Sequence, residues 1–277
     1  MQVLFSDVLM LKNCPACPLP KSVERPMNLA IGSGKEDVSM IRIEFFHDVI
    51  CSFCFPMSAR MRRIAQRHRD IEVVHRSFAL GWDPEDFIRS FGSREAVKPV
   101  VLEHWHQANL NDDEHRFNIE GMRRTDFSFP LSRPGLNAAR AAGMIAGESM
   151  YWDVFDRIQH KLFVENRNIE DPLVLEEAVK ETSICLADWK RQLEKTETER
   201  AVLADLQLAR EYGVHSVPAL VIDRKYYVSG ALPEEDIEQV LARISGEKGL
   251  ASDESSDAGT ADPTGACILV EDKWQCR

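Results

Sequence analysis

The chain has 277 residues, of which 44% are hydrophobic and 29% are charged. This is the composition of an ordinary globular protein, and it argues against wholesale disorder. The formal net charge is −11 and the sequence has no dense basic block, so nothing in it indicates a nucleic-acid or anionic-membrane partner.

Two sequence features bear on location. No apolar run approaches the roughly 20 residues that cross a bilayer. The apolar start MQVLFSDVLMLK has no basic n-region and contains Asp7, and the residues after it lack the small-residue cleavage site of a secretory signal. We therefore expect a cytoplasmic protein with no membrane association.

The first 39 residues are predicted to form an irregular leader, because they contain four prolines followed by GSGKEDVS. The regular fold is expected to begin at Met40, where MIRIEFF predicts a strand. A helix is predicted over residues 55–68, and IEVVHRSFAL predicts a second strand. Together these segments predict a βαβ unit.

Residues 94–212 contain almost no strand-like alternation and predict an all-helical block. Its helical segments are VKPVVLEHWHQ, NAARAAGMIA, SMYWDVFDRIQHKLF, PLVLEEAVK, LADWKRQLE and TETERAVLADLQLAREYG. After the block, PALVID and KYYVSG predict two short strands, and PEEDIEQVLARI predicts a helix that begins with proline and acidic residues, as helix starts prefer. The predicted order is β-α-β, helices, β-β-α.

This order predicts an α/β domain formed by residues 40–93 and 213–244 and interrupted by a helical insertion at 94–212. The remaining residues, 245–277, begin with the acidic, small-residue-rich stretch EKGLASDESSDAGTADPTG and end with two cysteines. We expect them to form a flexible acidic linker and a cysteine-containing tail.

The strongest chemical signal is the pair Cys51 and Cys54 in HDVICSFCFP, directly after the first predicted strand. A cysteine nucleophile reacts as the thiolate, which a helix N-terminus stabilises. If the helix begins near Cys51, that residue is the attacking thiol, and Cys54, one turn further on, is the resolving thiol. A CxxC pair beside a βαβ pattern is typical of a thioredoxin-like redox centre.

A zinc site is the main alternative for this pair, because CxxC is also a common half of a zinc site. Zinc would need two further ligands, and the only other close pair, Cys14 and Cys17, lies in the irregular leader. We therefore predict neither a metal nor a cofactor. For Cys14 and Cys17 the sequence leaves open a redox role, a metal-binding role or membership of a leader upstream of a true start at Met40.

The second signal is GVHSVPALVID, in which Val217 and Pro218 lead into a predicted strand. Proline cannot donate a hydrogen bond within a central strand, so Pro218 indicates an edge position or a cis turn. In combination with the upstream CxxC it suggests a loop that faces the cysteines. The backbone of Val217 could then pair with an extended substrate by strand addition.

The stretches IEFFHDVICSFCF, FVENRNIEDPLVLEEAV, GVHSVPALVID and YYVSGALPEEDIEQVL resemble the DsbA-family thiol oxidoreductases of the FrnE-like type, over residues 40–244. The resemblance implies a thioredoxin-like fold with a helical insertion after the second strand, a disulfide centre on Cys51 and Cys54, and a cis-proline at Pro218. The chain has Ser52 and Phe53 where the family more usually has Pro-Trp or Pro-His. Both are candidate substrate-binding residues with Val217.

Further candidates lie around this centre and in the tail. His47 and Glu44 are candidates for tuning the cysteine pKa values. The simpler interpretation is that His47 is a polar turn residue and that Glu44 lies at an edge or faces solvent. Cys267 and Cys276 are candidates for a second redox pair, as the resemblance permits, or for a local crosslink of the tail.

Three functional hypotheses remain. The first is a thiol–disulfide oxidoreductase that forms mixed disulfides with protein or small-molecule substrates and exchanges with glutathione or a thioredoxin system. The second is a glutathione-dependent transferase or isomerase of the kappa type, which Cys54 disfavours because that type usually has serine at the first position and no resolving cysteine. The third is a zinc-dependent or holdase-like binding module. The resemblance also permits a homodimer.

Overall fold

The computed structural model describes residues 40–250, 266–270 and 273–276, and it describes side chains for residues 40–247. Six strands form one sheet in the order β2-β1-β3-β4-β5-β6. The strands are β1 (Ile41–His47), β2 (Ile71–Ser77), β3 (Ala219–Ile222), β4 (Tyr226–Ser229), β5 (Ala266–Val270) and β6 (Lys273–Cys276). The predicted α/β thioredoxin-like fold with a helical insertion is confirmed.

Strand β1 is central to the site because it pairs on both sides. It runs parallel to β2, with Ile41 opposite Ile71, and antiparallel to β3, with Phe46 opposite Ala219. Six of its seven residues are buried, which is the pattern of a strand covered on both faces. The antiparallel pairing with β3 brings the end of β1, where the CxxC segment begins, next to the start of β3.

Ten helices surround the described strands. They are α1 (Cys54–Arg67), α2 (Pro84–Phe91), α3 (Arg94–Asn111), α4 (Ile119–Arg123), α5 (Ser132–Ala146), α6 (Glu148–Phe163), α7 (Pro172–Lys180), α8 (Leu186–Leu193), α9 (Thr196–Glu211) and α10 (Glu234–Leu250). The helical block begins at Pro84, earlier than the predicted 94, because Asp83 forms a capping box at the start of α2. No helix in the described part of the chain is long and apolar enough to cross a membrane.

Helices α1 and α10 cover one part of the sheet. The buried residues Met57, Met61 and Ile64 recur at the spacing of one helix face, and they share an apolar cluster with Ile237 and Leu241 of α10. Burial of such side chains stabilises the fold by about 1.5–3 kcal/mol each. This packing fixes the orientation of the helix that carries Cys54.

The helical insertion has its own core, which includes Trp105, Trp189 and Phe155 and reaches the segment before the first cysteine. Val49 and Ile50 belong to this core. Helix α5 approaches the segment at Gly135, where an added Cβ would lie only 2.8 Å from Val49 Cγ2. The insertion is therefore a structural support of the CxxC segment.

The C-terminal part differs from the sequence prediction. The sequence predicts a flexible linker from residue 245, whereas α10 continues to Leu250. Strands β5 and β6 then extend the sheet beyond β4, where the sequence predicted only a flexible tail. Each is four or five residues long, and short strands that follow a linker give little sequence signal before their pairing partner is known. Residues 251–265 and the leader 1–39, with Cys14 and Cys17, lie outside the described residues.

Arg60 of α1 joins three parts of the fold through its guanidinium group. The residue is 3% exposed, and it donates to the carbonyl oxygens of Ala231 (3.3 Å) and Leu232 (3.0 Å) before α10. It also donates to the Asn111 side chain (3.0 Å) and forms an ion pair with Asp113 (2.6 Å). These bonds hold α1 against the segments that follow α3 and β4.

We expect Arg60→Ala to lower the free energy of unfolding by about 2–4 kcal/mol, because it leaves buried carbonyl groups without donors. The matched control is Arg42→Ala, which removes an ion pair with Glu72. The side chains of Arg42 and Glu72 are 43% and 51% exposed. That control should cost no more than about 1 kcal/mol. Urea unfolding followed by circular dichroism measures both, and equal losses would contradict the assignment.

Candidate active site

The CxxC segment lies in a tight turn between β1 and α1. The N–H of Cys51 donates to the Asp48 carbonyl (3.2 Å), and the N–H of Cys54 donates to the Cys51 carbonyl (3.1 Å). The predicted helix over 55–68 is present at Cys54–Arg67. The helix begins at the second cysteine, three residues after Cys51, and its first N–H groups donate to the carbonyl oxygens of Cys51 and Ser52.

Both cysteines of the centre are free thiols. Cys51 is 5% exposed and Cys54 is fully buried. Burial, then the hydrogen bond and the charge of Cys51, raise the pKa of the Cys54 thiol well above its usual value. The two cysteines therefore differ in access and in environment.

The loop before β3 faces the first cysteine. The Cys51 thiol lies 3.4 Å from the carbonyl oxygen of Val217, in hydrogen-bonding geometry. The peptide bond between Val217 and Pro218 is cis, as the resemblance implies. Pro218 is buried and Val217 is half-buried. The sequence pattern and the fold thus bring Cys51, Val217 and Pro218 together.

The two residues between the cysteines have different environments. Ser52 is 8% exposed. Phe53 is half-buried and packs against the core of the insertion. Phe53 therefore links the active-site turn to the helical block as well as bordering the cysteines.

His47 does not lie in a polar turn, as the simpler interpretation held. It is the last residue of β1, is fully buried, and stacks on Phe45 with ring centroids 4.5 Å apart. Its Nε2 lies 3.3 Å from Nδ1 of His75. Burial, followed by the charges of His75 and Arg140, lowers the pKa of His47 well below 6.5. The imidazole is therefore neutral at physiological pH.

Glu44 is not solvent-facing either. It is 1% exposed and accepts hydrogen bonds from Arg76 Nε (2.9 Å) and from the hydroxyl of Tyr212 (3.0 Å). Arg76 also pairs with Asp205 of α9 (3.2 Å). The interpretation of Glu44 as a solvent-facing residue is wrong because β2 and the segment at the end of α9 cover this part of β1 and supply its hydrogen-bond partners. Those partners are distant in the sequence. Neither Glu44 nor His47 has a hydrogen bond to Cys51 or Cys54 among the described contacts.

Sequence reasoning missed Asp48, which is fully buried beneath the turn. Its carboxylate accepts the N–H of Leu80 (2.6 Å) and the hydroxyl of Ser132 (2.6 Å). Burial, partly offset by these hydrogen bonds, raises the pKa of Asp48 to about 6. Its position directly after an apolar strand and three residues before Cys51 was the available signal.

A surface cavity of about 560 Å³ borders the loop that leads to Pro218. It lies between the segment after β2, helix α2, helix α9 and the residues Val214 and His215. Its lining includes the apolar side chains Phe78, Leu80, Trp82, Leu203 and Leu206. The lining also includes charged side chains, among them Asp83, Asp86 and Arg210, so the cavity combines apolar and charged surface.

Metal binding finds no support among the described residues. They contain no group of three or more histidine, cysteine, aspartate or glutamate side chains that could hold a metal ion. Zinc would need ligands beyond Cys51 and Cys54.

Comparison with known proteins gives a family and a fold. The family model of the DSBA-like thioredoxin domain matches residues 42–242. Among curated proteins, the ClpXP adapter protein SpxH of Bacillus subtilis is 28% identical over 215 residues, which covers 75% of this chain and 69% of that protein.

Solved structures with a similar fold include two oxidoreductases. A probable DsbA oxidoreductase of Streptomyces coelicolor has a TM-score of 0.56 at 22% identity, with 86% of this chain and 99% of that chain covered. The cytosolic disulfide reductase DsbM of Pseudomonas aeruginosa, solved with GSH, has a TM-score of 0.54 at 17% identity, with 66% of this chain and 86% of that chain covered.

We expect alkylation of the reduced protein to modify Cys51 before Cys54, because Cys54 is fully buried and its raised pKa disfavours the thiolate. Brief treatment with iodoacetamide at pH 6.5, followed by mass spectrometry of the peptide that spans residues 43–60, measures the ratio. Equal modification, or preference for Cys54, would contradict this difference.

Proposed function

Since the chain belongs to the DSBA-like thioredoxin-domain family, whose members include thiol–disulfide oxidoreductases, we propose that Cys51 is the nucleophile and Cys54 the resolving thiol of such an enzyme. The Cys51 thiolate attacks a substrate disulfide, so that one substrate sulfur leaves as a thiolate and the other becomes joined to Cys51. Cys54 then attacks the Cys51 sulfur, and the second substrate thiolate leaves. Two electrons pass to the substrate, and the reverse sequence donates a disulfide.

The observation that carries this proposal is the position of the Cys51 thiol, 3.4 Å from the Val217 carbonyl at the cis-proline loop. The Cys51 sulfur faces the cis-proline loop, and the backbone of that loop can pair with an extended chain. Cys54 is fully buried, and its interaction with Cys51 contributes to the raised pKa of its thiol. This division of positions suits one attacking and one resolving thiol.

The substrates are proposed to be disulfides of polypeptides, with glutathione as a small-molecule partner. The cavity beside Val214 and His215 offers apolar side chains for residues that flank a substrate cysteine. Ser52 and Phe53, between the cysteines, are the other proposed substrate contacts. The glutathione in the DsbM structure supports the small-molecule partner, and the description of that protein as cytosolic supports a cytoplasmic location here.

An adapter function is the second candidate, because the curated relative SpxH is described as a ClpXP adapter protein. An adapter binds through its surface and does not require a thiol pair, so the two candidates differ in their dependence on Cys51. The kappa-type transferase or isomerase is a weaker alternative, since Cys54 is a free thiol three residues after Cys51 and can resolve an adduct.

We expect Cys54→Ala to accumulate mixed disulfides, because Cys51 can still attack but no thiol resolves the product. Non-reducing electrophoresis after incubation with scrambled ribonuclease should show adducts that reductant dissolves. The matched control, Cys51→Ala, should form none at this site. Insulin reduction at the parent rate by Cys54→Ala would refute the two-cysteine mechanism, and a Cys51→Ala protein that still bound its partners would favour the adapter.

For the tail we propose that Cys267 and Cys276 form a second dithiol–disulfide pair within the β5–β6 hairpin. The register pairs these two residues directly across the strands. Opposite residues of antiparallel strands have Cα atoms about 4.5–5.5 Å apart, a separation that disulfides span. Strand β5 lies two strands away from β3, about 10 Å, so exchange with Cys51 would require the hairpin to leave the sheet.

We expect peptide mapping of the oxidised protein to find a link between Cys267 and Cys276. If this pair also relays disulfides to the active site, the double variant Cys267→Ser/Cys276→Ser should reoxidise Cys51 and Cys54 more slowly. The expected decrease is about tenfold at 0.1 mM glutathione disulfide, because a tethered pair acts at millimolar effective concentration. The control is Cys14→Ser/Cys17→Ser. Unchanged reoxidation would leave only a local crosslink, and absence of the link would refute the pair.

A further inference from the structure

Gln159 of helix α6 connects the helical insertion to the active-site turn through its side-chain amide. Its Nε2 donates to the carbonyl oxygen of Asp48 (3.2 Å) and, over a longer distance, to that of Cys51 (3.5 Å). The residue is fully buried. A primary amide has two N–H donors, so this one side chain can serve both carbonyl groups.

The two carbonyl groups belong to the first and the last residue of one turn, formed by residues 48–51. The N–H of Cys51 donates back to the Asp48 carbonyl (3.2 Å), and the Cys51 carbonyl accepts the N–H of Cys54 (3.1 Å), where α1 begins. The thiol of Cys51 lies 3.4 Å from the Val217 carbonyl. Cys51 is therefore held by its main chain as well as by its side chain.

The oxygen of the same amide shows that the N–H donors are the useful part of the side chain. Gln159 Oε1 is buried and has no hydrogen-bond partner within the part of the chain that the structure describes, which costs free energy. The opposite orientation of the amide would place Oε1 against two carbonyl oxygens, so it is unfavourable. An apolar side chain of similar length would fill the same space without an unpaired acceptor. Packing alone therefore does not account for a glutamine here, whereas its donors to the turn do.

Helix α6 is fixed to helix α1 by side-chain hydrogen bonds. Trp152 Nε1 of α6 donates to the hydroxyl of Ser58 of α1 (2.7 Å), and that hydroxyl donates to Asp156 of α6 (2.6 Å). Asp156 also forms an ion pair with Arg62 of α1 (2.7 Å). Helix α1 begins with Cys54. The amide on α6 and the second cysteine therefore belong to two helices with a defined relative position.

We propose that Gln159 is a positioning residue for closure of the Cys51–Cys54 disulfide: its two hydrogen bonds hold the turn in the conformation from which Cys54 reaches the Cys51 sulfur. This inference rests on the two-cysteine mechanism proposed above. Gln159 has no hydrogen bond to either sulfur among the described contacts, so it acts through the main chain of the turn.

Closure is the resolving reaction. Cys54 releases its proton to water, its sulfur attacks the Cys51 sulfur of the mixed disulfide, and the substrate sulfur leaves as a thiolate. In the dithiol the turn can relax, so that its carbonyl groups find other donors. The disulfide keeps the turn closed, so the loss of a donor destabilises the disulfide more than the dithiol. Without the amide the disulfide should therefore form more slowly and be easier to reduce.

Gln159→Met tests the equilibrium, because methionine is an unbranched side chain of similar length that has no N–H donor. Full-length protein is equilibrated at neutral pH, without oxygen, in mixtures of reduced and oxidised glutathione. Formation of one protein disulfide converts one glutathione disulfide into two glutathione thiols. Acid quenching and mass spectrometry give the oxidised fraction and hence the equilibrium constant for forming the Cys51–Cys54 disulfide. We expect this constant to fall by about fivefold, the factor that corresponds to one net hydrogen bond.

Kinetics separate closure from the first attack. Reduced protein is mixed with 5,5′-dithiobis(2-nitrobenzoate) and quenched with acid at intervals. The Cys51 thiolate displaces one nitrothiobenzoate and keeps the other as an adduct, and Cys54 then displaces the second. In Gln159→Met the adduct should form at the parent rate, because this step needs only the Cys51 thiolate. Its conversion to the internal disulfide should slow by about fivefold.

Two further variants serve as a control and as a second test. Gln192 is another buried glutamine of the insertion, and its Nε2 donates to the hydroxyl of Thr198 (3.2 Å). Gln192→Met should therefore keep the parent equilibrium constant and both parent rates. Gln159→Asn keeps the amide on a side chain that is shorter by one methylene group and reaches the two carbonyl groups less well, so its equilibrium constant should also fall below that of the parent. Circular dichroism confirms that each variant is folded.

The outcomes are distinct. An unchanged or increased equilibrium constant in Gln159→Met, or in Gln159→Asn if the methionine variant does not fold, would overturn the positioning function of Gln159. Equal slowing of both steps in Gln159→Met, or the same changes in Gln192→Met, would also overturn it, because they indicate a general loss of structure. Failure of the adduct to convert to a Cys51–Cys54 disulfide in the parent would instead refute the proposed function.

Discussion

The structure depends on one constraint: the turn that carries the two cysteines is buried, so its polar groups must find partners inside the protein. Unpaired buried backbone groups cost about 1–3 kcal/mol each. Asp48 supplies acceptors for Ile50, Leu80 and Ser132 and takes the N–H of Cys51 on its carbonyl. The turn therefore has its conformation only when the loop after β2 and helix α5 are in place.

This constraint gives the helical insertion a function in the site. Val49 belongs to the core of the insertion, and Gly135 of α5 leaves room for its side chain. Phe53 packs on the same core from between the cysteines. The thioredoxin-like strands provide the end of β1 and the cis-proline loop, and the insertion fixes the turn between them.

Charged groups buried on the sheet make a second connection. Glu44 of β1 and Asp205 of α9 share Arg76 of β2, and Asp205 also pairs with Arg140 of α5. Breaking a buried pair of this kind typically costs about 3–5 kcal/mol, because the remaining charge stays in a poorly solvated place. The network ties the last helix of the insertion to the strand that precedes the active site, and it explains the burial of Glu44 without a catalytic function.

The sequence by itself determined the elements whose signal is local. The CxxC pair after an apolar strand, the Val-Pro step before β3 and the periodicity of the helical block predicted these elements. The resemblance to the DsbA family implied the fold and the cis-proline. Tertiary structure decided what depends on distant partners. Asp48 became a buried acceptor through Leu80 and Ser132, and β5 became a strand only by pairing with β4. A polar side chain or a short strand carries no sign of such partners in its own neighbours along the chain, because burial and pairing are properties of the folded chain.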